Sequence, residues 1–314
     1  MDGQIQISPN DYQGWYNLGV HLSKLGRYRE AITAFNRAIK IKPDYHQAWN
    51  NRGNAMKKLG RYESALRDFN QALVIQPESY QIWYNRGNLL SSLERYKEAI
   101  NSFQKAWEIQ DDLYQAWHNA ANIFRNLGRY REAIFHYDRA IKIKPNFYQA
   151  WHNRGKALFE FGRYQEALIS FEQVIELQPN CYEAWNFKGK TLFYLEDTEE
   201  EIISYEMAIN IKPDYQEAWH NLGQVLYNLG EWYEAIACFD RAIEIQSDYG
   251  LAYYNKARCY ALQDKAYLAI ENLELAINLG VDESYREMAK IDADFSNIRS
   301  NLKFQALIKA EKMY

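Results

Sequence analysis

Apolar positions along this chain come in two alternating blocks. In the first, Trp15, Leu18, Gly19 and Leu22 fall at the i, i+3, i+4, i+7 spacing that marks one face of a helix. Gly26-Arg27-Tyr28 interrupts it, and a second block follows with Ala31, Phe35, Ala38 and Ile39. Pro43 closes that block, because proline cannot extend a helix interior. The pattern predicts helix, tight turn, helix, stop. It then starts again: Trp15, Trp49, Trp83, Trp117, Trp151, Trp185 and Trp219 stand 34 residues apart, and Tyr253 keeps the register. A fixed period of this length signals stacked structural repeats sharing one elongated core.

The period divides residues 12–283 into eight units, 12–45, 46–79, 80–113, 114–147, 148–181, 182–215, 216–249 and 250–283. A small residue at the eighth position (Gly19) and another at the twentieth (Ala31) let paired helices approach, while Trp and Phe fill the space between them. Residues 1–11 read as the remnant of a preceding repeat or an N-terminal tail. Nothing obvious before it covers Trp15, Leu18 and Leu22, so either an extra upstream repeat or self-association through the first repeat is expected. Where the proline is missing, Asp111-Asp112 and Ser247-Asp248 are expected to cap the next helix. Unit 182–215 departs most, reading Glu196-Asp197-Thr198-Glu199-Glu200-Glu201, with Glu201 in the small-residue slot. Its carboxylate is expected to turn outward from an acidic helix start, and this repeat is expected to open most easily. Residues 284–314 hold Phe304, Leu307 and Ile308 at amphipathic spacing and read as C-terminal capping helices.

The phrase Trp-x2-Leu-Gly-x2-Leu, Ala-x3-Phe-x2-Ala, Pro resembles the tetratricopeptide repeat (TPR), and the closing segment resembles that of many bacterial TPR proteins. The resemblance implies an all-α fold, a right-handed superhelix (α-solenoid) of helix-turn-helix repeats. It further implies a protein-binding scaffold, without enzymatic activity, that takes an extended peptide segment in a concave groove lined by the first helices. Carried over position by position, that groove is bordered by Asn17, Asn51, Asn85, Asn119, Asn153, Asn221 and Asn255, with Phe187 breaking the row. Asn54, Asn88 and Asn122, His118 and His152, and Lys156 and Lys190 line it too. The row resembles the asparagine ladder of O-GlcNAc transferase, which holds peptide backbones; an amide both donates and accepts, so it pairs with any peptide unit. The other reading makes the same asparagines a structural consensus. Later in the chain Phe159, Phe193, Tyr194 and Tyr227 suit an aromatic or apolar anchor, or inter-repeat packing.

Composition narrows the rest. A net charge of −4 speaks against a general polyanion binder and against RNA held by Lys156, Lys190 and Arg258. Chaperone-binding TPRs hold Hsp70/Hsp90 tails with cations at positions 2, 5 and 6, and no unit here has one there. Three cysteines, Cys181, Cys238 and Cys259, fit no metal or disulfide spacing and read as reduced thiols of a cytoplasmic chain. His118, His152 and His220 share one helix face, but neighbouring helices ~10 Å apart keep them from sharing a metal. No catalytic motif, cofactor motif or membrane span is present. The runner-up reading is a regulatory or substrate-recruiting array of a larger enzyme or signalling protein.

Overall fold

The structure is a computed structural model and describes residues 8–280 and 284–309. Residues 1–7, most of the expected N-terminal remnant, lie outside the described residues, as do 281–283 and 310–314. The described chain is all-α. Sixteen helices form eight pairs, each a 13-residue first helix and a 14-residue second helix. It divides into two compact units, Met1–Ala157 and Leu158–Tyr314.

The first unit carries α1 (Tyr12–Lys24), α2 (Tyr28–Ile41), α3 (His46–Lys58), α4 (Tyr62–Ile75), α5 (Tyr80–Ser92), α6 (Tyr96–Ile109), α7 (Tyr114–Asn126) and α8 (Tyr130–Ile143). Helix α9 (Tyr148–Glu160) spans the boundary. Helices α1, α3, α5 and α7 each pack on the second helix that follows, α3, α5 and α7 also on the one before, and α1, α3, α5 and α7 touch in succession. The approach is close. A Cβ built on Gly19 would come within 2.5 Å of the Phe35 ring, and Ala31, Ala38 and Phe35 are fully buried. Leu22 is buried in this cluster and Trp15 is half-buried, with the Arg37 guanidinium 4.3 Å from its ring centre.

The second unit continues with α10 (Tyr164–Leu177), α11 (Tyr182–Tyr194), α12 (Thr198–Ile211), α13 (Gln216–Asn228), α14 (Trp232–Ile245), α15 (Gly250–Leu262) and α16 (Ala266–Leu279). Then come α17 (Ser284–Ile291), a 3-10 helix (Ala293–Ile298) and α18 (Leu302–Lys309). Phe295 and Phe304 are fully buried against Tyr254, Leu273 and Ile277, with Leu307 and Ile308 packed beside them. Among the described residues no helix is long and apolar enough to cross a membrane.

Helix starts differ from expectation at two places. Helices α7 and α15 begin after Leu113 and Tyr249, and no side chain caps either. Asp112 and Asp248 stand one residue too early to reach the orphan N–H groups. Each accepts instead from the glutamine two residues back, Gln110 and Gln246.

Candidate functional site

The asparagine row is set by helix geometry: each position-6 side chain reaches back to the preceding first helix. The Asn51 amide donates to the Tyr16 hydroxyl at 3.0 Å, and Asn85 to Asn50 Oδ1 at 3.0 Å. Asn119 donates to the Tyr84 hydroxyl (3.2 Å) and to Asn88 Oδ1 (2.7 Å). Asn153 bonds His118 Nε2 (3.0 Å) and donates to Asn122 Oδ1 (3.1 Å). The second unit repeats this, with Asn221 donating to Asn186 Oδ1 and Asn255 bonding His220 Nε2 and Gln224 Oε1. Asn17, in the first repeat, instead accepts from Gln13 at 3.4 Å.

This wiring changes what the row can offer. In Asn119, Asn153 and Asn255 both amide N–H bonds are committed to the neighbouring repeat, so toward a ligand these residues can only accept. Asn122 Oδ1 is doubly used, since the buried Tyr137 hydroxyl also donates to it at 2.6 Å. The 35- and 31-residue spacings of these bonds were present in the sequence; nothing in one repeat alone points to them.

The histidines belong to the same network. Burial lowers the pKa of His118 and of His220, so both are neutral at pH 7 with Nε2 free to accept from asparagine. His152 sits half-buried at the equivalent place on α9. Among the described residues no three His, Cys, Asp or Glu side chains converge as metal ligands. The Cys238 and Cys259 thiols are buried and pushed up to about 11 and about 12, which keeps them protonated and unreactive.

Each unit has a cavity on its first-helix face. In the first, about 340 Å³ opens over Val20, Tyr28 and Phe35, with Asn51, Asn54 and Lys57 along its side. Lys24 and Lys58 complete it. None of the three lysines makes an ion pair among the described residues, and burial, then the neighbouring Lys58, lowers the pKa of Lys57.

In the second unit about 360 Å³ opens between Phe159, Phe193 and Tyr194 on one side and Asn221 and Gln224 on the other. Glu201 and Tyr205 of α12 line it as well. The rings are ordered among themselves: Tyr194 stacks on Tyr164 at 4.3 Å and meets Phe159 edge-on at 5.5 Å. Phe187, where the asparagine row breaks, stacks on Phe171 at 5.4 Å. Lys190 Nζ lies 4.8 Å from the Phe187 ring centre and 3.2 Å from Glu217 Oε1.

Glu201 does not turn outward as expected; it is 4% exposed. Its backbone occupies the slot where α12 faces α11, as the fully buried Ala31 does between α2 and α1, so its side chain points into the cavity rather than outward from the helix start. Tyr205 stands beside it, one turn on. A tyrosine in the phenylalanine slot needs a buried acceptor. Tyr137 finds one at position 9, in Asn122. Position 9 is Lys190 in this repeat, a donor only, and Glu201 supplies the acceptor. Burial pushes the Glu201 carboxyl up to about 7, against the opposing hydrogen bond from Tyr205.

Of the cations Lys156, Lys190 and Arg258, two are neutralised. Lys190 pairs with Glu217, and Arg258 Nε lies 2.7 Å from Asp294 and 3.2 Å from Asp292. Tyr254 also donates to Asp292, at 2.8 Å, and Tyr227 donates to Asp294. The two aspartates thus fasten the closing segment to α13 and α15, a role their spacing did not announce. Lys156 lies half-buried on α9.

Comparison with known proteins follows the same lines. The TPR repeat model matches residues 22–60, 121–162 and 189–230, and the tetratricopeptide repeat model matches 46–79, 80–112, 148–181 and 217–249. Among solved structures the chain is similar to YrrB, a TPR protein with an unusual peptide-binding site. The two are 27% identical over 60% of this chain and 96% of that one, with a TM-score of 0.54. It is also similar to the C-terminal part of a TPR repeat-containing protein from Cytophaga hutchinsonii (20% identity, 76% and 98% coverage, TM-score 0.66). A TPR protein from Parabacteroides merdae gives 15% identity, 78% and 97% coverage and a TM-score of 0.56. These last two speak for the fold alone. The chain matches no curated protein.

Proposed function

The chain is a tetratricopeptide repeat protein, and on that premise we propose that it is a non-enzymatic scaffold binding an extended segment of a partner protein along its first-helix faces. One observation carries the reading. In each unit, taken by itself, a cavity opens on the same face, lined by the same repeat positions: Val20, Lys24, Asn51 and Asn54 in one, Lys190, Tyr194, Asn221 and Gln224 in the other. Side chains that serve packing alone would fill these places. YrrB, at 27% identity a TPR protein with an unusual peptide-binding site, supports a peptide as the occupant. Asn119, Asn153 and Asn255 fit as acceptors for the occupant's backbone N–H groups, their own donors being engaged between repeats. Residues 12–283 are then eight repeats and 284–314 their closing segment.

The test is retention of partners from source-cell lysate by the immobilised chain, read by mass spectrometry beside a Lys57→Ser/Lys58→Ser/Phe193→Ser variant. None of these three side chains takes part in an inter-repeat hydrogen bond, so the variant keeps its fold, checked by circular dichroism. Partners held by the chain and lost by the variant support the reading. Equal retention by both moves the binding surface elsewhere.

A further inference from the structure

The cavity of the second unit differs in kind from that of the first. Its walls are aromatic, with Phe193 and Tyr194 half exposed, and its buried polar group is a carboxyl. Glu201 makes no ion pair among the described residues. Lys190 does not compensate it, being bound to Glu217, and Lys188 is bound to Glu200. The site therefore contains one carboxylate more than its cations balance. A volume of about 360 Å³ lies at the low end of ligand pockets, roughly 300–1,000 Å³, and suits one long side chain.

We propose that this cavity is a pocket for a single cationic side chain, a lysine or arginine of the bound segment, its stem between the Phe159, Phe193 and Tyr194 rings and its head group against Glu201. Aromatic faces attract cations, and Lys190 over Phe187 is an instance in place. An anionic anchor would meet the Glu201 carboxyl. A purely apolar anchor would strip water from the Glu201 carboxyl without giving it a partner. The inference rests on the first-helix face as the binding surface, and extends it by naming the anchor.

Binding would be linked to protonation. The titratable groups that line the cavity with Glu201 are Lys190 and Tyr194 from α11 and Tyr205 from α12; Glu217 of α13 lies on Lys190 and Tyr164 of α10 on Tyr194. The lysine and Glu217 offset one another, and Tyr205 is held neutral by burial. Glu201, pushed up to about 7 when the pocket is empty, ionises when a cation arrives, so affinity rises with pH through neutrality.

The test needs no peptide. The full chain, labelled with carboxyl-¹³C glutamate and assigned at Glu201 by the Glu201→Gln variant, is titrated with n-butylammonium, the lysine side chain alone, and with n-butanol, its neutral isostere. The expected result is saturable n-butylammonium binding that lowers the Glu201 titration midpoint. It should be roughly tenfold tighter than n-butanol, tighter at about pH 8 than at about pH 6, with the preference lost in Glu201→Gln. Equal or stronger n-butanol binding, a preference that survives Glu201→Gln, or no saturable response to n-butylammonium would each overturn the proposal. Such a failure, beside partners still lost by the lysate variant, leaves the peptide face standing. The converse pair of results leaves the pocket and removes the peptide face.

Discussion

The indole N–H of Trp83 donates to the carbonyl oxygen of Pro77, six residues earlier, at 2.8 Å. The same bond joins Trp49 to Pro43, Trp151 to Pro145, Trp185 to Pro179 and Trp219 to Pro213. The proline that stops one repeat thus seats the tryptophan that starts the next. The two repeats that end without proline and are followed by another repeat depart accordingly. After Asp111, Trp117 has no partner for its N–H among the described residues and stacks on Trp107 at 4.0 Å. After Ser247 the tryptophan itself is replaced by Tyr253, which has no such donor.

Restoring the proline should therefore stabilise. Gln110, before Asp111, has φ −129° and ψ 92°, close to the −132° and 80° of Gln76 before Pro77, and this is the extended conformation a residue before proline requires. No backbone hydrogen bond from the Asp111 N–H would be lost. Asp111→Pro should raise stability by about 0.4–1 kcal/mol, chiefly by restricting the unfolded chain, seen as a higher urea midpoint by circular dichroism. A lower midpoint would mean that the 110–112 backbone is not arranged as in the proline-bearing repeats.

The fold was legible because one slot, Trp15 through Trp219, repeats its whole physical context every 34 residues. The site was legible only as a list of positions. Asn119 and Asn153 could be placed on a face from one helix, but their partners lie on another helix 31 and 35 residues away. Whether an amide faces a ligand or a neighbour depends on the stacking between repeats, which periodicity does not encode. Glu201 was misread for a related reason. Its fate follows from Tyr205 and Lys190 together, a three-residue conflict invisible to each position taken alone.

The turns offer a second test. Gly26, Gly60, Gly128, Gly162 and Gly230 have φ between +70° and +82°, and Glu94, Glu196 and Asp264 occupy the same place at +57° to +60°. A side chain in this left-handed conformation costs about 1–2 kcal/mol. Glu94→Gly should recover up to about 1 kcal/mol after the flexibility glycine adds to the unfolded chain, read as a raised thermal midpoint. Asp264→Gly should gain less, because its carboxylate accepts from Asn297 at 3.0 Å.

The asparagine wiring predicts a stability cost separable from binding. Asn119→Ala removes two inter-repeat bonds and should lower stability by about 1–2 kcal/mol. Asn119→Asp removes the same two donors yet keeps an acceptor, so it should lose comparable stability while retaining whatever backbone N–H contact the position makes. Urea unfolding of the three proteins checks the first statement, and partner retention by the Asp variant checks the second. An Ala variant as stable as the parent would show these bonds to be dispensable.

Glu201 makes stability fall with rising pH, opposite to the usual behaviour of a carboxylate. Its folded pKa, about 7, lies above its ordinary value near 4.5, so between the two the folded state binds more protons than the unfolded one. The contribution is fully present below about pH 4.5 and is lost as pH rises through about 7, for a total of up to about 3 kcal/mol. Glu201→Gln should flatten this slope between about pH 5 and 8. Glu201→Ala alone restores the small residue but leaves the Tyr205 hydroxyl buried without its acceptor, at a cost of about 1–3 kcal/mol. Glu201→Ala with Tyr205→Phe removes both halves of the conflict and should exceed the parent in stability at neutral pH. Amide hydrogen exchange gives the local view: α11 and α12 of the parent should exchange faster at about pH 8 than at about pH 6, after correction for intrinsic rates, and this difference should vanish in the double variant. A parent whose α12 protection is independent of pH would place the Glu201 carboxyl in contact with water.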